Sequence, residues 1–141
     1  MTNKNFNNGE IFFDYSDNWF LEDPDTKNNP DCIATLSKNE NNLINVVTFE
    51  TEASLKEFKP LMEDMLKEDG ALIISSNIIE INDKSAIKLH ANMTLPEINF
   101  NIRTFVFIED FQIYIFELRT ADDSETAVED INNIAESFKI L

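Results

Sequence analysis

Glycine, cysteine, histidine and arginine are scarce in this chain. Its 141 residues include two Gly, one Cys and one His, and its only arginines are Arg103 and Arg119. Two glycines cannot build a glycine-rich phosphate loop or a Gly-x-Ser-x-Gly nucleophile elbow, which need several positions free of a Cβ. A single cysteine, Cys32, excludes an intramolecular disulfide and a cysteine-based metal cluster, and a buried inert thiol is expected. No stretch approaches the ~18 consecutive apolar residues of a membrane helix. The segment Met1-Thr2-Asn3-Lys4-Asn5 lacks the apolar core of a secretion signal, so a cytoplasmic location is expected. Positive charge is also short: 11 Lys and Arg stand against 27 Asp and Glu, a net charge of -16. That balance argues against nucleic acid, whose phosphates demand a basic footprint, and against anionic membranes. It suits solubility, or a basic partner.

The chain does carry a core. A hydrophobic content of 43% is that of a globular chain, and the length predicts one domain over 1–141. Twelve Phe against one Trp and two Tyr make that core phenylalanine-rich. With so little glycine, turns fall to Asn, Asp and Pro.

Alternation and turn residues predict strands over 9–15, 32–36, 43–50, 71–81, 84–94, 97–108 and 111–119. A loop rich in Pro, Asp and Asn spans 22–31. Ser54-Leu55-Lys56-Glu57 fits a capping box, and Leu55, Phe58, Leu61, Met62, Met65 and Leu66 recur at helical spacing behind it. Pro60 is expected to kink this helix and Gly70 to end it. A last helix follows Asp122-Asp123-Ser124, with Val128, Ile131, Ile134, Ala135 and Phe138 as its apolar stripe.

Two-residue turns at Asn82-Asp83, Leu95-Pro96 and Glu109-Asp110 predict an antiparallel meander. They pair Ile78 with Ile87, Ile74 with Ala91, Leu89 with Ile102, Ala91 with Phe100, Thr104 with Ile115, and Val106 with Ile113. One face then collects Leu72, Ile74, Ile78, Ile87, Leu89, Met93, Ile98, Phe100, Ile102, Val106 and Ile113. The other carries apolar Phe105, Phe107, Tyr114, Phe116 and Leu118. Beside them lie polar Ser75, Asn77, Lys88, His90, Asn92, Asn99, Asn101 and Arg103. Apolar groups on both faces demand cover on both. The fold class is therefore α+β, an antiparallel sheet of about six or seven strands sandwiched between two helices.

Chemistry-bearing patterns are sparse. His90 is expected beside Ser75 and Asn101, and one Ser-His pair without an orienting third group falls short of a hydrolase site. Asp23-Pro24-Asp25-Thr26-Lys27-Asn28 has the outline of a calcium loop. However, Lys27 occupies a ligand position, Asn28 replaces the turn glycine, and Ala34 replaces the closing Glu. It reads as a solvated acidic loop. Trp19 reads as a core anchor. Arg119 pairs with Glu117, on the face opposite Arg103. No catalytic, metal or cofactor site is expected.

The segment Phe13-Asp14-Tyr15-Ser16-Asp17-Asn18-Trp19, the hairpin Ile81-Asn82-Asp83-Lys84-Ser85-Ala86 and the closing Ser137-Phe138-Lys139-Ile140 together resemble the PsbP-like family. Related branches include Ran-binding Mog proteins, DcrB-like bacterial proteins and secretion-effector chaperones. The resemblance implies an antiparallel sheet between helices. It also implies a non-enzymatic protein-binding role as adaptor, chaperone or assembly factor, with another protein as partner. Alternatives are a small-molecule or lipid carrier and, behind it, a hydrolase. The expected working surface is the polar face formed by Ser75, Asn77, Lys88, His90, Asn92, Asn99, Asn101 and Arg103.

Overall fold

The computed structural model describes residues 3–24, 26–121 and 125–141. Asp25 of the acidic loop, the helix start at Asp122-Asp123-Ser124 and the side chain of Ile98 lie outside the described residues. In chain order the elements are β1 Asn3–Asn7, β2 Ile11–Ser16, β3 Phe20–Glu22, β4 Cys32–Asn39, β5 Asn42–Glu50, α1 Leu55–Glu68, β6 Ala71–Ile81, β7 Lys84–Leu95, β8 Ile98–Glu109, β9 Gln112–Thr120, α2 Glu125–Ser137 and β10 Lys139–Ile140. Seven strands form one antiparallel sheet in the order β3-β4-β5-β9-β8-β7-β6, and β1-β2-β10 form a second, three-stranded sheet. The aromatic strand at Ile11–Ser16 therefore leaves the large sheet, and β3 takes the seventh place in it. The last residues, β10, return to pair with β2.

The meander of β6 to β9 follows from its turns. Asn82 and Asp83 both adopt positive φ, 49° and 67°, the geometry whose twist matches a two-residue hairpin. The other two turns each lie one residue later than the sequence predicts. Proline favours the first central position of a turn, so Pro96-Glu97 replaces Leu95-Pro96 and leaves Leu95 paired with Ile98. Asp110 and Phe111 make the last turn, at φ 51° and 65°, and the Phe111 carbonyl accepts from the Thr51 N–H at 2.9 Å. Leu89 consequently faces Thr104 rather than Ile102, and Ala91 faces Ile102 rather than Phe100. Likewise Thr104 faces Glu117, and Val106 faces Ile115. Moving a two-residue turn by one residue shifts the register by two, so every side chain keeps its face.

The first hairpin starts as predicted, with Ile78 opposite Ile87, and then breaks at a bulge between Ile73 and Ser75. The extra residue makes Ile73, not Ile74, the partner of Ala91, and it reverses the facing of everything before it. Leu72 thereby joins Asn92 on the polar face and is 67% exposed. Ile74 and Ile78, also expected in the core, are exposed as well, because β6 is the outermost strand.

Two groups of buried side chains flank the large sheet. Ile87, Leu89, Ala91, Met93, Ile102, Val106 and Ile113 gather with Met62, Leu55, Phe58 and Leu66 of α1, and Phe100 is half-buried against them. Phe105, Phe107, Tyr114, Phe116 and Leu118 gather with Ala127, Ile131, Ile134 and Ala135 of α2, with Phe138 after it, and with Ile11, Phe13 and Tyr15 of β2. Val128, predicted in the α2 stripe, is half-buried, and Ala127 holds the inner position. Trp19 is fully buried, and its indole Nε1 donates to Asp130 Oδ2 of α2 at 2.8 Å. Cys32 is buried and free.

Helix α1 begins on the complete capping box of Ser54 and Glu57 and continues through Pro60 to Glu68. Gly70, at φ 94°, follows its end in the left-handed conformation glycine best tolerates. Within α1, Lys59 Nζ lies 2.8 Å from Glu63 Oε2. That hydrogen bond is the foremost reason the Glu63 carboxyl is held below its ordinary value of 4.5. A carboxyl lowered in the folded state stabilises above its unfolded pKa, and the gain is lost as pH falls through the folded value. Lys59→Met is expected to remove this contribution, at a cost below about 1 kcal/mol at neutral pH. Melting curves of both proteins from neutral pH to about pH 3 check it, and the two should converge on the acid side.

Candidate functional site

The predicted polar residues do come together. Cross-strand pairing sets Ser75, His90 and Arg103 in one row, and Asn77, Lys88 and Phe105 in the next. A third row holds Leu72, Asn92, Asn101 and Thr120, and Asn99 is opposite Thr94. Paired residues point to the same side of a sheet, so all eight predicted residues share one face. Ser75, Asn77, Lys88 and Asn99 are exposed, and His90, Asn92, Asn101 and Arg103 are half-buried. The face changes character across the sheet, from polar at β6 and β7 to aromatic under α2.

Side-chain hydrogen bonds link the face into a chain. The Thr94 hydroxyl donates to Asn92 Oδ1 at 3.0 Å. Asn92 Nδ2 donates to Asn99 Oδ1 at 2.8 Å and, more weakly, to Asn101 Oδ1 at 3.4 Å. Asn101 Oδ1 also lies 2.9 Å from His90 Nε2. An amide oxygen only accepts, so His90 donates through Nε2 in this arrangement. Ser75 sits opposite His90 as expected, but the histidine's hydrogen bond runs sideways to Asn101. Lys88 Nζ lies 5.8 Å from the centre of the Phe105 ring, where the ring face attracts the cation. Arg119 Nε is 2.9 Å from Glu117 Oε1, and this pair lies on the other side of the sheet from Arg103, as predicted.

Beside Lys88 the sheet meets α2 at a hollow of about 320 Å³, lined by Ile79, Asn82, Phe105, Asn132 and Glu136 among others. Asn82 Nδ2 donates to the Glu136 carbonyl and ties the hairpin tip to the helix there. Sequence reasoning missed two members of this surface. Thr94 follows the strand's alternation and could have been found. Leu72 could not, because only the bulge places it there. Among the described residues, no helix is long and apolar enough to cross a membrane.

No protein-family profile matches the chain, and no curated protein matches it in sequence. Solved structures do match. Cyanobacterial PsbP from Synechocystis sp. PCC 6803 superposes with a TM-score of 0.74 at 14% identity, over 99% of this chain and 93% of its own. LpqN of Mycobacterium tuberculosis, described as involved in cell envelope biogenesis, gives 0.68 at 14% identity over 99% and 90%. PA94 of Pseudomonas aeruginosa, a protein of unknown function described as a putative regulator, gives 0.59 at 12% identity over 97% and 96%. These identities carry fold and not activity. The superpositions over nearly the whole of both chains show that this chain has the PsbP-like fold.

Proposed function

We propose that this chain is a single, non-enzymatic protein-binding domain over 1–141, a helix–sheet–helix sandwich whose polar sheet face is the docking surface. The observation that carries the proposal is the grouping of Lys88, His90 and Arg103 with five hydrogen-bonding side chains on one face, in a chain of net charge -16. A local basic cluster on an acidic protein steers an acidic or amide-rich segment to that place. The hydrogen bond of His90 to Asn101 ties the ring into the amide network of that face.

Replacing Lys88, His90 and Arg103 together with Ser tests the reading. The variant is expected to stay within about 1 kcal/mol of the parent in stability. Affinity for a protein partner captured by pull-down is expected to fall about tenfold or more. Unchanged affinity in the folded variant moves the docking surface elsewhere on the acidic exterior.

A further inference from the structure

At the end of β8 far from the polar face, the Gly9 turn, the ends of β5 and β8, and β10 surround a hollow of about 650 Å³. Small-molecule sites fall in this size range. Five carboxylates line it, those of Glu10, Asp31, Glu50, Glu109 and Asp110, and no Lys or Arg does. Among the described residues none of the five is ion-paired. Acidic surface is common on a chain of net charge -16 and does not by itself make a site. Tyr114 sets this one apart. It lines the hollow and is only 8% exposed. Among the described residues no group hydrogen-bonds its hydroxyl, although buried hydroxyls are ordinarily bonded. Burial, and after it the charges of Glu10, Glu109 and Asp110, raise its pKa above the ordinary 10.0. The hydroxyl is therefore protonated at neutral pH, lies in the field of three carboxylates and has an acceptor to offer.

The sheet register spaces two of the carboxylates. Glu50 and Glu109 both pair with Gln112, one on each side of it. Two strand spacings put them about 10 Å apart. Gln112 and Tyr114 are two residues apart on β9, so this row and Tyr114 share one face. The amide between the carboxylates is already engaged, since Gln112 Nε2 donates to Thr48 Oγ1 at 2.7 Å. Among the described residues no three His, Cys, Asp or Glu side chains are placed to hold a metal ion. Two anions about 10 Å apart, with the Tyr114 ring and Ile140 beside them, instead match a long cation charged at both ends and apolar between.

We propose that this hollow binds a linear aliphatic diamine or polyamine. One terminal ammonium lies at Glu50 and the other at Glu109, each in a charge-assisted hydrogen bond. Tyr114 Oη accepts from the ammonium beside Glu109, and the methylene chain crosses the Tyr114 ring. Lysine side chains carry the same group, but the floor of Tyr114 and Ile140 favours methylenes over peptide groups, which need partners when buried. A second copy of this chain is a poor source of paired amines. Its close lysine pairs are Lys56 with Lys59 on α1 and Lys84 with Lys88 on β7. One member of each is engaged, Lys59 by Glu63 and Lys88 by the Phe105 ring. The hollow shares no residue with the polar docking face, so an acidic segment bound there does not compete for it.

Titration calorimetry of the full chain with α,ω-diaminooctane tests this, with the ring signals of Tyr114 followed by NMR. The diamine is expected to shift those signals. It is also expected to bind at least about tenfold more tightly than n-octylamine, which lacks the second charge, or α,ω-diaminopropane, which is too short to reach both carboxylates. Tyr114→Phe keeps the ring packing and is expected to lose about fivefold in affinity. Glu50→Gln combined with Glu109→Gln, confirmed folded by its thermal transition, is expected to lose about tenfold or more. Equal affinity for the three amines overturns the proposal, because a merely acidic surface would not measure length. Diamine binding that leaves the Tyr114 signals in place overturns it too. A capped Lys-Ala-Lys peptide that binds about tenfold more tightly than the diamine overturns it in favour of a protein source. A dimer of the chain alone that moves the same signals overturns it in favour of a second copy.

Discussion

A chain truncated before Ile131 is expected to lose its cooperative thermal transition and to shift its tryptophan emission to that of a solvent-exposed indole. The cut removes Ile131, Ile134, Ala135 and Phe138, all buried in the group that also holds Trp19, Phe13 and Phe116. Phe138 alone packs its ring 4.8 Å from Phe107, 5.0 Å from Phe116 and 5.3 Å from Tyr114. Losing a buried aromatic of this kind costs about 3–5 kcal/mol. The three other side chains add about 1 to 3 kcal/mol each. Together these approach the ~5–15 kcal/mol by which a domain is stable at all. The cut also removes β10 from β2, and it removes the Ser137 hydroxyl that accepts from the Asp14 N–H at 2.8 Å. Trp19 would keep its hydrogen-bond partner Asp130 in the chain but not the rest of the helix that aims it. Differential scanning calorimetry with fluorescence checks the result. Retained native emission and an intact melting transition would show that the two chain ends do not share one core.

The parts of this fold legible in the sequence were those set by short-range rules. The capping box at Ser54, the left-handed Gly70 and the Asn82-Asp83 hairpin each follow from the chemistry of a few adjacent residues, and each is present. The faces of β7, β8 and β9 were legible for a different reason. The turns after β7 and β8 lie one residue later than predicted, yet side-chain alternation has a period of two and a shift of two in register leaves it intact. That is why the eight residues predicted for the polar face do share one side of the sheet. Membership of sheets was not legible. Nothing local tells Ile11–Ser16 to pair with β1 and β10 instead of the large sheet, because that choice is made by the burial of Phe13 and Tyr15 beside Trp19 and α2. The bulge in β6 was also invisible. Ile73-Ile74-Ser75-Ser76 alternates too weakly to fix a register, and the pairing with Ala91 and His90 decides it.

That bulge gives the sharpest contrast between two leucines on neighbouring strands. Leu89 is 1% exposed, in the group packed with α1. Leu72, which plain alternation would bury with it, is 67% exposed on the opposite face. Leu89→Ala is expected to cost about 2–5 kcal/mol, from lost transfer energy and from the cavity left between α1 and the sheet. Leu72→Ala is expected to stay within about 0.5 kcal/mol of the parent, as exposed substitutions do. Urea titration of both variants measures the difference, with the slope of the transition expected to be unchanged. A loss under about half a kcal/mol at Leu89 would remove it from the core. A loss at Leu72 comparable to that at Leu89 would mean that the strand runs without its bulge. Leu72 would then lie on the face beneath α1, with Ile87 and Leu89.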